Sequence, residues 1–412
     1  MTVDLGSSGT GAGAEWPGSL DLPGMLASGW RPVPFREFVL KVHSRCDLAC
    51  DYCYMYEMAD QSWRGRPAAM PEHVLDAAAA RIGEHATAHG LDSIDLILHG
   101  GEPLLAGPGR LERAVTAVRD AAPGVRVQAC VQTNAVRLDE RFLDLFARLD
   151  VHVGVSLDGD AAGHDRHRRR RGGGGSHDAV AAALRLLTSA RYRHLFDGLL
   201  CTIDLRNEPD ATYDALMAWG PPSVDFLLPH GTWAEPPPGR IPGDPSTPYA
   251  DWLIPLFDRW YREPPAGEVR LFGEIVRLLL GGRSTSESVG LSPVGMVVIE
   301  TDGSIEQVDV LKAAFPGAPE TGLHVDRDPL DAALLTPGIA ARQIGAEALA
   351  PECLGCRVRA VCGGGLYAHR YRPGRGFANP SVYCLDLYRL IDHVRGVLVP
   401  DLAALRQRPS PG

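Results

Sequence analysis

The 412-residue chain holds 51 acidic and 41 basic residues, a net charge of −10 with a sequence pI near 5.8. That balance argues against a nucleic-acid partner, which leaves a basic footprint. No stretch has the length and apolarity of a membrane span, and the first residues carry no basic segment followed by an apolar run, so a cytoplasmic protein of more than one domain is the expectation.

Residues 1–33, rich in Gly, Ser and Pro, predict a flexible tail. From residue 34 strand-like and helix-like runs alternate: strands at 35–42, 93–101, 125–133, 151–159, 197–205 and 223–231, and helices at 71–90, 109–122, 139–149, 176–192 and 210–220. The strand runs are nearly continuous in Val, Ile and Leu, as parallel strands covered by helices are. Six β/α units fall short of the eight that close a barrel, so the α/β class expected over 34–232 is a partial (β/α)6 TIM-type barrel with functional loops at the carboxyl ends of its strands. The Pro-rich break at 232–248 opens a bridging helical segment over 233–290, with helices expected at 249–262 and 268–280. Residues 296–312 read as a hairpin turning at Asp302-Gly303. The remainder, to 412, is turn-rich.

Seven of the nine cysteines lie in two tight groups, which in a reducing compartment points to metal or redox chemistry. Cys130 and Cys201 stand apart and are expected to be buried strand residues. Cys46, Cys50 and Cys53, spaced Cys-x3-Cys-x2-Cys, follow the first strand. Structural zinc is four-coordinate, so a zinc reading needs an outside ligand such as His43. A cubane iron–sulfur cluster held by three thiolates leaves one iron open to a small molecule.

These three cysteines, with Tyr52 before the last, resemble the signature of radical S-adenosylmethionine (SAM) enzymes, in which SAM chelates the open iron and is cleaved to a 5′-deoxyadenosyl radical. Three further stretches stand at successive strand ends as in that superfamily. "HGGEP" (99–103) supplies Gly100 and Gly101 for close backbone approach and Glu102 to accept from the SAM ammonium. "VQTNA" (131–135) and "SLDG" (156–159) place Asn134 and Ser156 as polar contacts to SAM. The basic run 165–175 reads on composition as a solvated, mobile loop. Within "HDRHR" (164–168), however, the resemblance assigns Arg168 to the SAM carboxylate, and the neighbouring arginines to an acidic leader peptide.

The second group, Cys353, Cys356, Cys362 and Cys384, closes one 4Fe–4S cluster, with zinc the simpler alternative. Its spacing resembles the SPASM extension of peptide-modifying radical SAM enzymes, expected here over 291–412. The full motif has seven cysteines and two auxiliary clusters. Here Val308 and Leu366 stand at two missing cysteines and no cysteine occurs at 287–293. All three absences belong to one cluster, so the resemblance implies a single auxiliary cluster, and two 4Fe–4S clusters in all.

"VVIETDGSIEQVDVLK" and "CGGGLYAHRY…GFANPSVYC" look like the FxsB-type branch of these enzymes. The resemblance implies a ribosomally made precursor peptide as substrate, an electron donor such as a flavodoxin or ferredoxin, and a carbon–carbon (cyclophane) crosslink between an aromatic ring and a side-chain Cβ. The alternatives are thioether formation, epimerisation, or formylglycine formation as in sulfatase-maturing enzymes. Asp309, which follows Val308 as a catalytic aspartate follows the matching cysteine in those enzymes, is the candidate base.

Overall fold

The structure, a computed structural model, describes residues 15–263 and 267–406. Six parallel strands, β1 (Glu37–His43), β2 (Ser93–Gly100), β3 (Arg126–Thr133), β4 (Val151–Ser156), β5 (Phe196–Thr202) and β6 (Ser223–Leu227), pair in sequence order. Helices cover their outer face, among them Glu72–Ala88, Pro108–Ala121, Glu140–Leu149, His177–Leu187 and Pro209–Met217. The α/β partial barrel stands.

Along β2 the helix-facing Ile94, Leu96 and Leu98 are buried, whereas the inward Asp95, Ile97 and His99 are half-buried. The strands thus alternate instead of being apolar throughout, because the open inner face lines a cavity and not a filled core. β7 (Glu268–Val269) adds beyond β6, so the predicted helix at 268–280 begins two residues late, at Arg270.

The C-terminal extension joins the same sheet. β8 (Met296–Ile299) pairs parallel with β1, and β9 (Ser304–Glu306) and β10 (Glu320–His324) continue antiparallel to make ten strands. The expected hairpin lies between β8 and β9, where Gly303 adopts φ 94°. The extension also carries a small core of its own, including Val308, Leu311, Tyr367 and Phe377.

Two expectations need correction. Residues 1–14 lie outside the described residues, but 15–33 contain a helix, Leu22–Ala27, and Trp16 and Leu20 pack on the extension's core, with Phe377 N donating to Trp16 O at 3.2 Å. Apolar anchors outweigh the Gly-rich composition there. Residues 313–383 are turn-rich as expected, but Cys384–Arg406 is one long helix. Among the described residues no helix is long and apolar enough to cross a membrane.

Candidate functional site

The loop after β1 carries Cys46, Cys50 and Cys53 and is gripped from both sides. On one side Gly100 and Gly101 end β2 against it. A Cβ on Gly100 would stand 2.1 Å from His43 O, and one on Gly101 would stand 2.7 Å from the Arg45 carbonyl, so only glycine admits this approach. Gly101 N and Glu102 N donate to His43 O and Arg45 O at 2.8 and 3.0 Å. His43 Nδ1 accepts from Arg45 N at 3.2 Å, which turns that ring nitrogen toward the loop backbone.

On the other side lies the basic run, which is not a free loop. It starts in a helix, Ala161–His167, and Arg170 bridges to Leu48 while Ala49 N donates to Arg169 O at 2.8 Å. Arg171 Nε donates to Cys46 O at 2.8 Å. The backbone of the cluster loop, lacking strand partners of its own, finds them here. Arg168 is buried and its Nε donates to Asp158 Oδ2 at 2.8 Å, so the side chain assigned to the SAM carboxylate already has an internal partner. Asp158 also accepts from Tyr52 Oη and from Thr202 N (3.0 Å), and the Arg168 guanidinium lies 5.5 Å from the Tyr52 ring centre. Asp158 therefore fixes the orientation of Tyr52 beside the cysteines. It was hidden two residues past Ser156, in a stretch valued for its serine.

Glu102 is buried and accepts from Thr133 Oγ1 (2.6 Å), Leu104 N (3.0 Å) and Asn134 N (2.8 Å). Burial pushes its pKa up to about 7 against the pull of those donors. One lone-pair position remains for a cationic donor. Asn134 Nδ2 reaches Asp47 Oδ1 at 3.0 Å and Cys46 Sγ at 3.6 Å. Ser156 Oγ accepts from Gln132 Nε2 at 3.2 Å, further down the inner face.

Burial raises the thiol pKa at Cys50 to about 11 and raises those of Cys46 and Cys53 too, so thiolates there require a cationic partner. In the second group Cys353, Cys356, Cys362 and Cys384 together line a cavity of about 80 Å³. Gly363, Gly364 and Gly365 all take positive φ beneath it, and Arg370 Nη2 binds the Gly363 and Gly365 carbonyls at 2.6 and 2.7 Å.

Between the two groups runs a succession of rings. Tyr54, next to Cys53, meets His230 edge-on (4.9 Å between centres); His230 neighbours His369 (5.5 Å), and His369 neighbours Tyr383 (5.0 Å), next to Cys384. Burial holds both histidines well below the ordinary imidazole range, and so neutral.

A cavity of about 630 Å³ occupies the inner face of the sheet, lined by residues of β1–β5, by 284–298 and by Val308–Val310 and Leu366. Cys130 faces it and is not a core residue, whereas Cys201 is buried as expected. Asp309 lies on its wall beside two residues the sequence did not single out. Lys41, fully buried on β1, forms an ion pair with Asp309 Oδ2 and stands 2.9 Å from His99 Nδ1. His99 Nδ1 is 3.4 Å from the same carboxylate oxygen. Asp309 Oδ1 has no hydrogen-bond partner. Burial works to raise the Asp309 pKa, but Lys41 and His99 more than offset it and hold the carboxyl well below the usual range. Glu300 and Glu306 are close by, yet Arg66 and Lys312 already neutralise them. A lysine inside the otherwise apolar run Phe38–Val42 was the available signal.

Residues 40–219 match the family model of the Radical SAM superfamily. The chain is 25% identical over 378 residues to a serine-type anaerobic sulfatase-maturating enzyme of Klebsiella aerogenes, covering 90% of this chain and 87% of the relative. It is 24% identical over 283 residues to a cysteine-type enzyme of Clostridium perfringens, covering 67% and 74%. Among solved structures the fold resembles native anSMEcpe with bound AdoMet, at a TM-score of 0.75 and 20% identity over 90% of this chain and 99% of that one. It also resembles Streptococcus suis SuiB bound to its precursor peptide SuiA, at 0.55 and 13% over 87% and 78%.

Proposed function

We propose that this chain is a SAM-dependent peptide maturase of the FxsB type that joins an aromatic ring to a side-chain Cβ. One observation carries the reading. Val308, Leu366 and, from the stretch 287–293, Glu287, Ser292 and Pro293, where the resemblance places the ligands of a second auxiliary cluster, all line the 630 Å³ cavity with Asp309. Space that a cluster would fill is thereby open to substrate, enough for a ring and its neighbour, where formylglycine formation has a single Ser or Cys to accommodate.

Cys46, Cys50 and Cys53 would hold the SAM-binding cluster, with Glu102 and Asn134 toward the ligand, and the four C-terminal cysteines the auxiliary one. Bound there, a reduced cluster and SAM supply a 5′-deoxyadenosyl radical that abstracts hydrogen. The chain's own residues position the target and exclude water. Hydrogen loss at Cβ leaves a carbon radical, which adds to the ring. The adduct must then shed one electron and one proton, so the peptide loses two hydrogens in all; a fully ligated cluster held by Cys353, Cys356, Cys362 and Cys384 would supply the acceptor for that electron. Asp309, on the cavity wall and with Oδ1 unpartnered, takes that proton. A carboxylate of depressed pKa is a weak base, sufficient for the strongly acidic oxidised adduct and poorly matched to an unactivated hydroxyl.

The sulfatase-maturating relatives favour a second reading, oxidation of Ser or Cys to formylglycine. Tandem mass spectrometry of a precursor peptide treated with cluster-loaded enzyme, SAM and dithionite separates the two. A crosslink removes two hydrogens and suppresses backbone fragments between the joined residues. Loss confined to one Ser, with an aldehyde reactive toward hydrazide, overturns the crosslink.

A further inference from the structure

The helix Glu72–Ala88 and its C-cap bring His85 and His89, one turn apart, to the same face, with ring centres 4.5 Å apart. Asp331, on the helix Leu330–Leu334 of the C-terminal extension, projects between them. His85 Nδ1 touches Asp331 Oδ1, and His89 Nε2 stands 3.1 Å from both carboxylate oxygens. The three donor atoms lie within 4.8 Å of one another.

The other nitrogen of His85 decides what this arrangement needs. Nε2 lies 3.2 Å from Phe35 O, a carbonyl that only accepts, so Nε2 carries the hydrogen. Nδ1 of the neutral ring then turns its lone pair on a carboxylate that has only lone pairs to offer. An imidazolium resolves the conflict, and so does a cation. The His85 side chain is 1% exposed, which makes a permanent charge on that ring costly. Asp331 and His89 are 46% and 29% exposed and leave an approach from solvent. A metal-bound imidazole ordinarily donates its second nitrogen to a backbone carbonyl, as His85 does to Phe35.

We infer that His85, His89 and Asp331 form a divalent transition-metal site, suited by its two imidazoles and one carboxylate to zinc, that clasps the C-terminal extension to the barrel. A tetrahedral ion with bonds of about 2.0–2.1 Å needs donors about 3.3–3.4 Å apart, a small outward movement of Asp331 from His85. The fourth position falls on the solvent side.

The test uses the cluster-loaded enzyme, whose cysteines are occupied by iron, dialysed anaerobically against zinc. Metal analysis should find one zinc per chain beyond the iron. His89→Ala and Asp331→Asn should weaken zinc binding by more than the ~10–100-fold that loss of an outer-shell partner costs, with iron content unchanged. X-ray absorption at the zinc edge of the wild-type protein should show a nitrogen and oxygen shell, and zinc should raise its unfolding temperature. Wild-type protein that retains no more zinc than His89→Ala overturns the site and leaves a plain ion pair. Sulfur in the zinc shell overturns it equally, since the metal is then in a cysteine site.

Discussion

The Asp309 carboxylate and the Lys41 ammonium form a buried ion pair between the extension and the first barrel strand, on the wall of the cavity. The pair keeps Asp309 ionised and leaves Oδ1 free. Its depressed pKa contributes stability that is fully present above the ordinary carboxylate range and is lost only as pH falls through the folded value. Lys41→Met should invert this. Burial then dominates, the carboxyl pKa rises, and an uncompensated buried charge costs about 3–5 kcal/mol near neutrality, relieved as pH falls. Denaturant unfolding across pH would show it; a variant as stable as wild type at neutral pH would contradict the pair.

Asp309→Asn separates proton removal from radical generation. SAM cleavage should persist while product formation slows by ~10² to 10⁴. Measuring 5′-deoxyadenosine and product in the same reaction gives both. An unchanged product rate would leave Asp309 a partner of Lys41 and nothing more.

On the proposed reading, Glu102, with its pKa pushed up to about 7, would give SAM binding a pH dependence. A carboxylate that accepts from the SAM ammonium is lost on protonation, so affinity should weaken as pH falls through 7, by up to about tenfold per unit below it. In Glu102→Gln that slope should vanish. Calorimetric titration of the cluster-loaded protein at several pH values checks both, and a flat wild-type profile would show that Glu102 only positions Thr133 and Asn134.

The cysteine arithmetic predicts two four-iron clusters per chain. Replacing Cys46, Cys50 and Cys53 by Ala should leave the C-terminal one alone. Iron analysis after anaerobic reconstitution decides, and a third cluster's worth of iron would mean that Val308 and Leu366 do not mark a lost site.

What the sequence disclosed and what it hid divide by range. β1–β6 were legible because Val, Ile and Leu runs between turn residues are local signals, and the cysteine loop because its spacing is. β8 lying along β1 was not, since parallel pairing over such a separation leaves no local mark. The helix Cys384–Arg406 was concealed by Gly396 and Pro400, breakers that tertiary packing overrides. The basic run at 165–175 has the composition of a solvated loop, but the backbone of the cluster loop recruits it. Lys41 and Asp309 are each unremarkable in sequence, and only the fold joins them.

The central claim is that a ring carbon is a reacting atom. A precursor peptide whose aromatic residue is fully deuterated on the ring, treated with cluster-loaded enzyme, SAM and dithionite, tests it by mass. The account predicts a product lighter by one hydrogen, taken from Cβ, and one deuterium, released from the ring as the proton that Asp309 accepts. A product that has lost two hydrogens and kept every ring deuterium would contradict it.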